Sequence, residues 1–187
     1  MTAICDLNDA SYTRSKSHRP NSTTPTHHHP TMSRIPTVTS LTESAVIPFH
    51  LDEVWHLIKL KSIPKFWTII ESAEDVKAQE EVDVVKWKFK DGSVESVKLE
   101  EHSSIDHFIT YSVVESEPPL GYSSVLSQIR LFPITSGEHR GSTFVQWSAQ
   151  FSGDAGVDVI EDARYKRRDG LADLNKALAA GKGKARA

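Results

Sequence analysis

From residue 37 onward the apolar positions recur in two rhythms. Thr37 to Ile47 alternates apolar with polar residues, which predicts a first strand that Pro48 ends. Leu51, Val54, Trp55 and Ile58 then follow helical spacing, with Asp52 and Glu53 in the first turn, so a short helix is expected over Leu51 to Leu60. Lys61 to Trp67 contains Pro64 and reads as a loop or a second short helix. Ile69 to Val76 is expected to form a short strand, and alternation returns in Val82 to Lys90, where Val85, Trp87 and Phe89 share a face. Asp91-Gly92 signals a hairpin, and Val94 to His102 is the returning strand, with Val97 and Leu99 on one face. A turn near Ser103-Ser104 leads into Phe108 to Glu115, rich in β-formers. Pro118, Pro119 and Gly121 interrupt the pattern before a strand over Ser123 to Phe132, and Gly137 to Gly141 turns the chain into Ser142 to Phe151.

That last strand places Val145, Trp147, Ala149 and Phe151 on one face and runs straight into a long helix. The helix carries Val157, Ile160, Leu171, Leu174 and Leu178 on one stripe. Asp154 is expected to cap its start and Gly181 to close its end. Gly170, in mid-helix, costs about 1 kcal/mol relative to Ala. A close approach to the sheet, or room for a ligand, would account for it. Arg164 and Arg167 fall near the apolar stripe, and two readings fit them: snorkelling past the core edge, or pointing into a lined cavity. Consecutive strands joined by short turns, two short helices after the first strand, and a terminal helix predict an α+β fold. Its antiparallel sheet has about seven strands and holds the long C-terminal helix. A sheet gripping one helix leaves a hollow between the two.

Composition changes this picture at the ends of the chain. Hydrophobic residues make up 38% of the 187, low for a compact domain, and the deficit sits at the start. Residues 1–36 are rich in Ser, Thr, Pro, Asn and His, and such a segment buries too little surface to offset its ordering entropy. They read as a disordered tail before a domain over 37–180, with a short basic tail over 181–187. Met32 offers a second possible translation start, which the sequence leaves open. A net charge of −3 argues against a nucleic-acid partner. The single cysteine, Cys5, allows no intramolecular disulfide. No apolar run reaches the roughly 18–20 residues of a membrane span. With no secretory h-region either, the expectation is a soluble cytoplasmic protein without integral membrane contact. Oligomeric state is not legible.

Candidate chemistry is sparse. His27-His28-His29 suggests a metal, but adjacent residues in a flexible tail lack fixed geometry, so neither metal nor cofactor is expected. There is no G-x-S-x-G elbow, P-loop or G-x-G-x-x-G. Trp55, Phe66, Trp67, Trp87 and Trp147 serve either as core or as aromatic cavity walls. Glu95 shares parity with Val97 and Leu99, and Tyr111 with Ile109 and Val113. If those faces point inward, a carboxylate with a raised pKa and a phenol enter an apolar space as acid–base candidates. The alternative is a solvated Glu95 near the sheet edge and a Tyr111 ring that is merely buried. Ser127 shares a face with Val125, Ile129 and Leu131, and a small residue there leaves volume for a pocket or for a large opposing side chain.

Several stretches are similar to parts of one family. V-W-H-L-I-K with I-P-K-F-W (Val54 to Trp67) resembles the first helices of the START-like superfamily, also called SRPBCC. F-K-D-G-S-V-E-S-V-K-L (Phe89 to Leu99) resembles its central hairpin, and I-R-L-F-P (Ile129 to Pro133) with T-F-V-Q-W-S-A-Q-F (Thr143 to Phe151) its last two strands. The superfamily includes birch-pollen-allergen-like proteins and the polyketide cyclase/dehydrase group. The resemblance implies a helix-grip fold, a curved sheet around the terminal helix. It also implies a cavity for a hydrophobic or amphipathic small molecule. The site residues implied are Trp55, Phe66, Trp67, Trp87, Val97, Leu99, Tyr111, Ser127, Ile129, Trp147, Arg167 and Leu171. Some members are carriers or sensors, and others cyclise, dehydrate or isomerise what they bind. In members resembling lachrymatory-factor synthase, an acidic residue on the return strand acts with an Arg and a Tyr. Many relatives place that Glu where this chain has Val97, with Glu95 two residues earlier. Binding or transport therefore ranks above an acid–base enzyme, and both rank above a protein-interaction module with a filled interior.

Overall fold

The computed structural model describes residues 39–76 and 83–185, with side chains to Gly181. The expected N-terminal tail, with Cys5, His27 to His29 and Met32, lies outside them. Seven strands make one curved antiparallel sheet: β1 Ser40–Ile47, β2 Ile70–Asp75, β3 Val84–Phe89, β4 Val94–Ser103, β5 Phe108–Glu117, β6 Val125–Pro133 and β7 Thr143–Phe151. Their spatial order is β1-β7-β6-β5-β4-β3-β2. Strands β2 to β7 form the expected meander. β1 joins at the far end, with Ser40 opposite Gln150 and Ile47 opposite Thr143. A short helix α1 (Leu51–Trp55) and a 3₁₀ turn (Ile63–Lys65) follow β1, and the chain closes on the long helix α2 (Val157–Ala185). This is an α+β helix-grip arrangement.

Three local expectations are corrected. The first helix stops at Trp55 rather than Leu60. Beyond it Leu57 and Ile58 donate to Val54 and Trp55, three residues back, and these tight turns still bury Ile58 and Leu60. The apolar spacing was satisfied without a continuous helix. Asp154 does not cap α2, which starts three residues later. Its carboxylate instead accepts hydrogen bonds from the Ser123 backbone N–H and hydroxyl, holding the β5–β6 loop. Gly181 does not end α2, which continues to Ala185.

α2 lies on the concave face of the sheet. Ile160, Arg167, Gly170, Leu171 and Leu174 are buried, whereas Val157, expected on the stripe, is half exposed. Gly170 marks the closest approach. A Cβ there would stand 2.8 Å from Cζ3 of Trp147 and 3.1 Å from the Trp67 indole. Of the two readings of this glycine, close approach is the one realised. On the outer side of the helix, Arg164 and Arg168 both donate to the Glu43 carboxylate of β1, at 3.0 and 2.8 Å, and tie α2 to the edge strand. Thr68 does the same from the loop before β2, through Asp173.

The core divides into two clusters. The larger gathers Ile47, Val54, Ile58, Trp67, Trp147 and Leu174 with their neighbours under α1 and the C-terminal half of α2. The smaller holds Leu41, Val125, Ala149, Phe151, Ala155 and Ile160 under the start of α2. Each fully buried large apolar side chain stabilises the fold by about 1.5–3 kcal/mol. The boundary between the clusters is where packing gives way.

Candidate functional site

Small residues create the gap. Ser127 on β6 sits opposite Tyr111 of β5 on one side and Ala149 of β7 on the other. This row therefore steps down from a ring to a hydroxymethyl to a methyl. On β5 the pairing skips Val114, because Ser96 faces Glu115 and Val97 faces Val113. That bulge bends the strand next to the gap. Above it α2 contributes Ala163, another small side chain. The result is a cavity of about 440 Å³ between the sheet and the N-terminal half of α2. Trp67, Trp87 and Phe89 wall it from the larger cluster; Val113, Val125 and Phe151 wall it from the smaller one. Leu120 and Tyr122 of the β5–β6 loop, with Asp158, Asp162 and Lys166 of α2, complete its lining.

Arg167 is the buried charge in this lining. It is 7% exposed and lies over the Trp147 ring, 5.7 Å from its centroid. One terminal nitrogen donates to the Ala163 carbonyl at 3.0 Å and the other to the Ser127 hydroxyl at 2.9 Å. Its Nε is buried without a partner, and no carboxylate pairs with it among the described residues. Burial pushes the guanidinium down from its usual value, yet an arginine remains charged. Of the two readings of Arg167, the inward one holds; Arg164 turns outward to Glu43.

Tyr111 and Glu95 flank the same cavity. The Trp147 indole N–H donates to the Tyr111 hydroxyl at 3.0 Å. Burial pushes the phenol above its ordinary pKa, against the opposing charge of Arg167, and keeps it protonated. Glu95 pairs across strands with Trp87. Burial raises its carboxyl above the usual range, partly offset by Lys166 and then Arg167. It is not in bulk solvent, but it makes no side-chain hydrogen bond among the described residues, to Tyr111, to an arginine or otherwise.

The other expected site residues are dispersed. Trp147 lies directly beneath Arg167 and packs edge-on against Trp67, with ring centroids 4.8 Å apart. Phe66, Val97, Ile129 and Leu171 are buried in the larger cluster and do not line the cavity. Leu99 borders a different hollow, with Leu60, Val85 and His102. Trp55 sits apart, stacked against His102 and His107. Sequence reasoning passed over Tyr122 and the helical set Asp158, Asp162 and Lys166. The four-residue spacing of that set was a usable signal for one helix face. Tyr122, in a Pro/Gly-rich loop, carried none. Among the described residues no group of His, Cys, Asp and Glu could hold a metal ion. No described helix is long and apolar enough to cross a membrane.

No protein-family profile matches this chain, and no curated protein does. Solved structures do. The protein XoxI from Bacillus cereus superposes with a TM-score of 0.65 at 23% identity, covering 76% of this chain and 96% of that one. An uncharacterised protein from Bacillus thuringiensis gives 0.64 at 24% identity, covering 75% and 98%. The di-domain ARO/CYC StfQ from the steffimycin biosynthetic pathway gives 0.61 at 17% identity, covering 76% of this chain and 46% of StfQ. These likenesses establish a shared fold. They leave activity to be argued from the cavity itself.

Proposed function

We propose that this protein binds a hydrophobic or amphipathic small molecule in the cavity between the sheet and the N-terminal half of α2. The observation that carries this reading is the split core. A chain able to seat α2 against Trp67 and Trp147 through Gly170 leaves about 440 Å³ open one turn earlier, walled by aromatic and aliphatic side chains. That volume lies in the range of small-molecule sites, which are apolar with a few placed polar groups. The START-like resemblance and the fold shared with StfQ agree with it. Binding without conversion is favoured because no side-chain hydrogen bond among the described residues holds Glu95 in a catalytic geometry.

Titration of the folded protein with a fluorescent fatty acid tests this. Saturable binding at one site per chain is expected, with quenching of tryptophan emission from the Trp67–Trp87–Trp147 cluster. Absence of saturable binding, together with no small molecule retained in native mass spectrometry, would overturn it.

A second reading rests on one observation: a carboxyl with a raised pKa and a protonated phenol line one cavity. In that reading Glu95 exchanges a proton with the bound molecule, as in a polyketide cyclase- or isomerase-like enzyme. Glu95→Gln would then abolish conversion of a bound substrate while leaving its affinity within a few-fold.

A further inference from the structure

Arg167 is a costly residue to place where it is. An uncompensated buried charge is among the most destabilising features a fold carries, and a hydrophobic side chain of similar volume avoids that cost. Here the helix position would accept either, since Leu171 and Leu174 follow on the same face. Of the five N–H bonds of the guanidinium, the two hydrogen bonds described use two. Both acceptors are neutral, a backbone carbonyl and a hydroxyl, so the charge itself is unanswered by contact. Glu95 acts on it only through space, without a hydrogen bond among the described residues.

A second donor nearby is also unsatisfied. The Trp67 indole N–H is buried with no partner, and Trp67, like Arg167, packs against Trp147. These two are the only buried side-chain nitrogen or oxygen atoms without a hydrogen bond among the described residues, and both residues line the one cavity. Buried orphans are rare in folded proteins and are normally matched by water or ligand. Two unpartnered buried donors and a positive charge, all on residues lining one cavity, call for an oxygen acceptor bearing negative charge. Phe89 stands beside Trp67; Val113, Val125 and Phe151 give the cavity an apolar wall, and Asp158, Asp162 and Lys166 line it nearer the start of α2.

We infer that the ligand is an amphipathic organic anion, with a carboxylate, enolate or sulfonate-like head seated on Arg167 and an apolar body lying against Val113, Val125 and Phe151. This rests on the cavity reading above and narrows it, because a neutral sterol or hydrocarbon would leave the guanidinium unanswered. The hydroxyl of Ser127 positions the guanidinium; Tyr111, fixed by Trp147, borders the head.

The test uses two probes that differ by one charged group, 1-anilinonaphthalene-8-sulfonate and neutral N-phenyl-1-naphthylamine, each titrated into the full-length protein. A charge-assisted hydrogen bond in a dry site corresponds to about tenfold or more in affinity, so the sulfonate probe should bind at least that much more tightly. Arg167→Met should erase the difference between the two probes, and Arg167→Lys should keep part of it. A merely structural role for Arg167 would move both probes together. Equal affinities for the two probes in the wild-type protein would overturn the anion assignment and leave the cavity reading standing. Failure of both probes to bind at one site per chain would overturn both readings. Should R167M fail to fold cooperatively, the wild-type comparison and R167K decide the matter.

Discussion

Single residues decide where α2 can touch the sheet. Gly170 is the clearest case, since a methyl group there collides with Trp147. Gly170→Ala gains about 1 kcal/mol of helix propensity and loses about 1–3 kcal/mol to overpacking. A net loss of stability is expected in urea unfolding, against the ordinary behaviour of Gly-to-Ala changes in helices. Glu95 makes a second residue-scale prediction. Its carboxyl is raised in the folded state, so its favourable protonated form is retained at low pH and its burial becomes unfavourable as pH rises through the raised value. Glu95→Gln should therefore raise the melting temperature at pH 7, with the gain vanishing below the ordinary carboxyl range. Asp154 behaves oppositely. The Ser123 hydroxyl, followed by that of Ser152, holds its carboxyl down to about 2. Its contribution is complete above the ordinary value of 3.8 and is lost as pH falls through about 2. The stability difference between wild type and Asp154→Asn should shrink over that interval.

Elements were largely legible from their own patterns, and their ends were not. The seven strands lie where the sequence pattern placed them, and β6 and β7 show most cleanly one face buried and the other accessible. α1 was overextended because tight turns can bury Ile58 and Leu60 as well as a helix can. Asp154 looked like a cap by type and position, but it found a partner 31 residues away in Ser123. At this scale the clamp between β1 and α2 is also testable. Arg168, then Arg164, bonds to Glu43 and holds its carboxyl below the usual range. The bonds join elements more than a hundred residues apart. Glu43→Gln should lower the melting temperature modestly, and the loss should diminish at high salt, where partly exposed ion pairs are screened.

At the scale of the molecule the main feature is a core in two parts with an opening between them. Filling that opening separates binding from folding. Ala163→Phe places a ring in the cavity from the helix side and should keep the melting temperature at or above that of the wild type while abolishing probe binding. The α+β class, the strand count, the meander and the terminal helix were determined by the chain's local periodicities alone, since each reports which face of an element leaves water. The parity that Tyr111 shares with Ile109, and Ser127 with Ile129, was legible too, but not which way those faces turn. Only the tertiary structure decided that β1 pairs with β7, that Trp55 stands apart from Trp67, and that Arg167 turns inward while Arg164 turns out to Glu43. Those outcomes depend on register between elements distant in sequence and on which small side chains happen to oppose one another. Periodicity carries no information about either, and so the cavity emerged only when α2 was laid across the sheet.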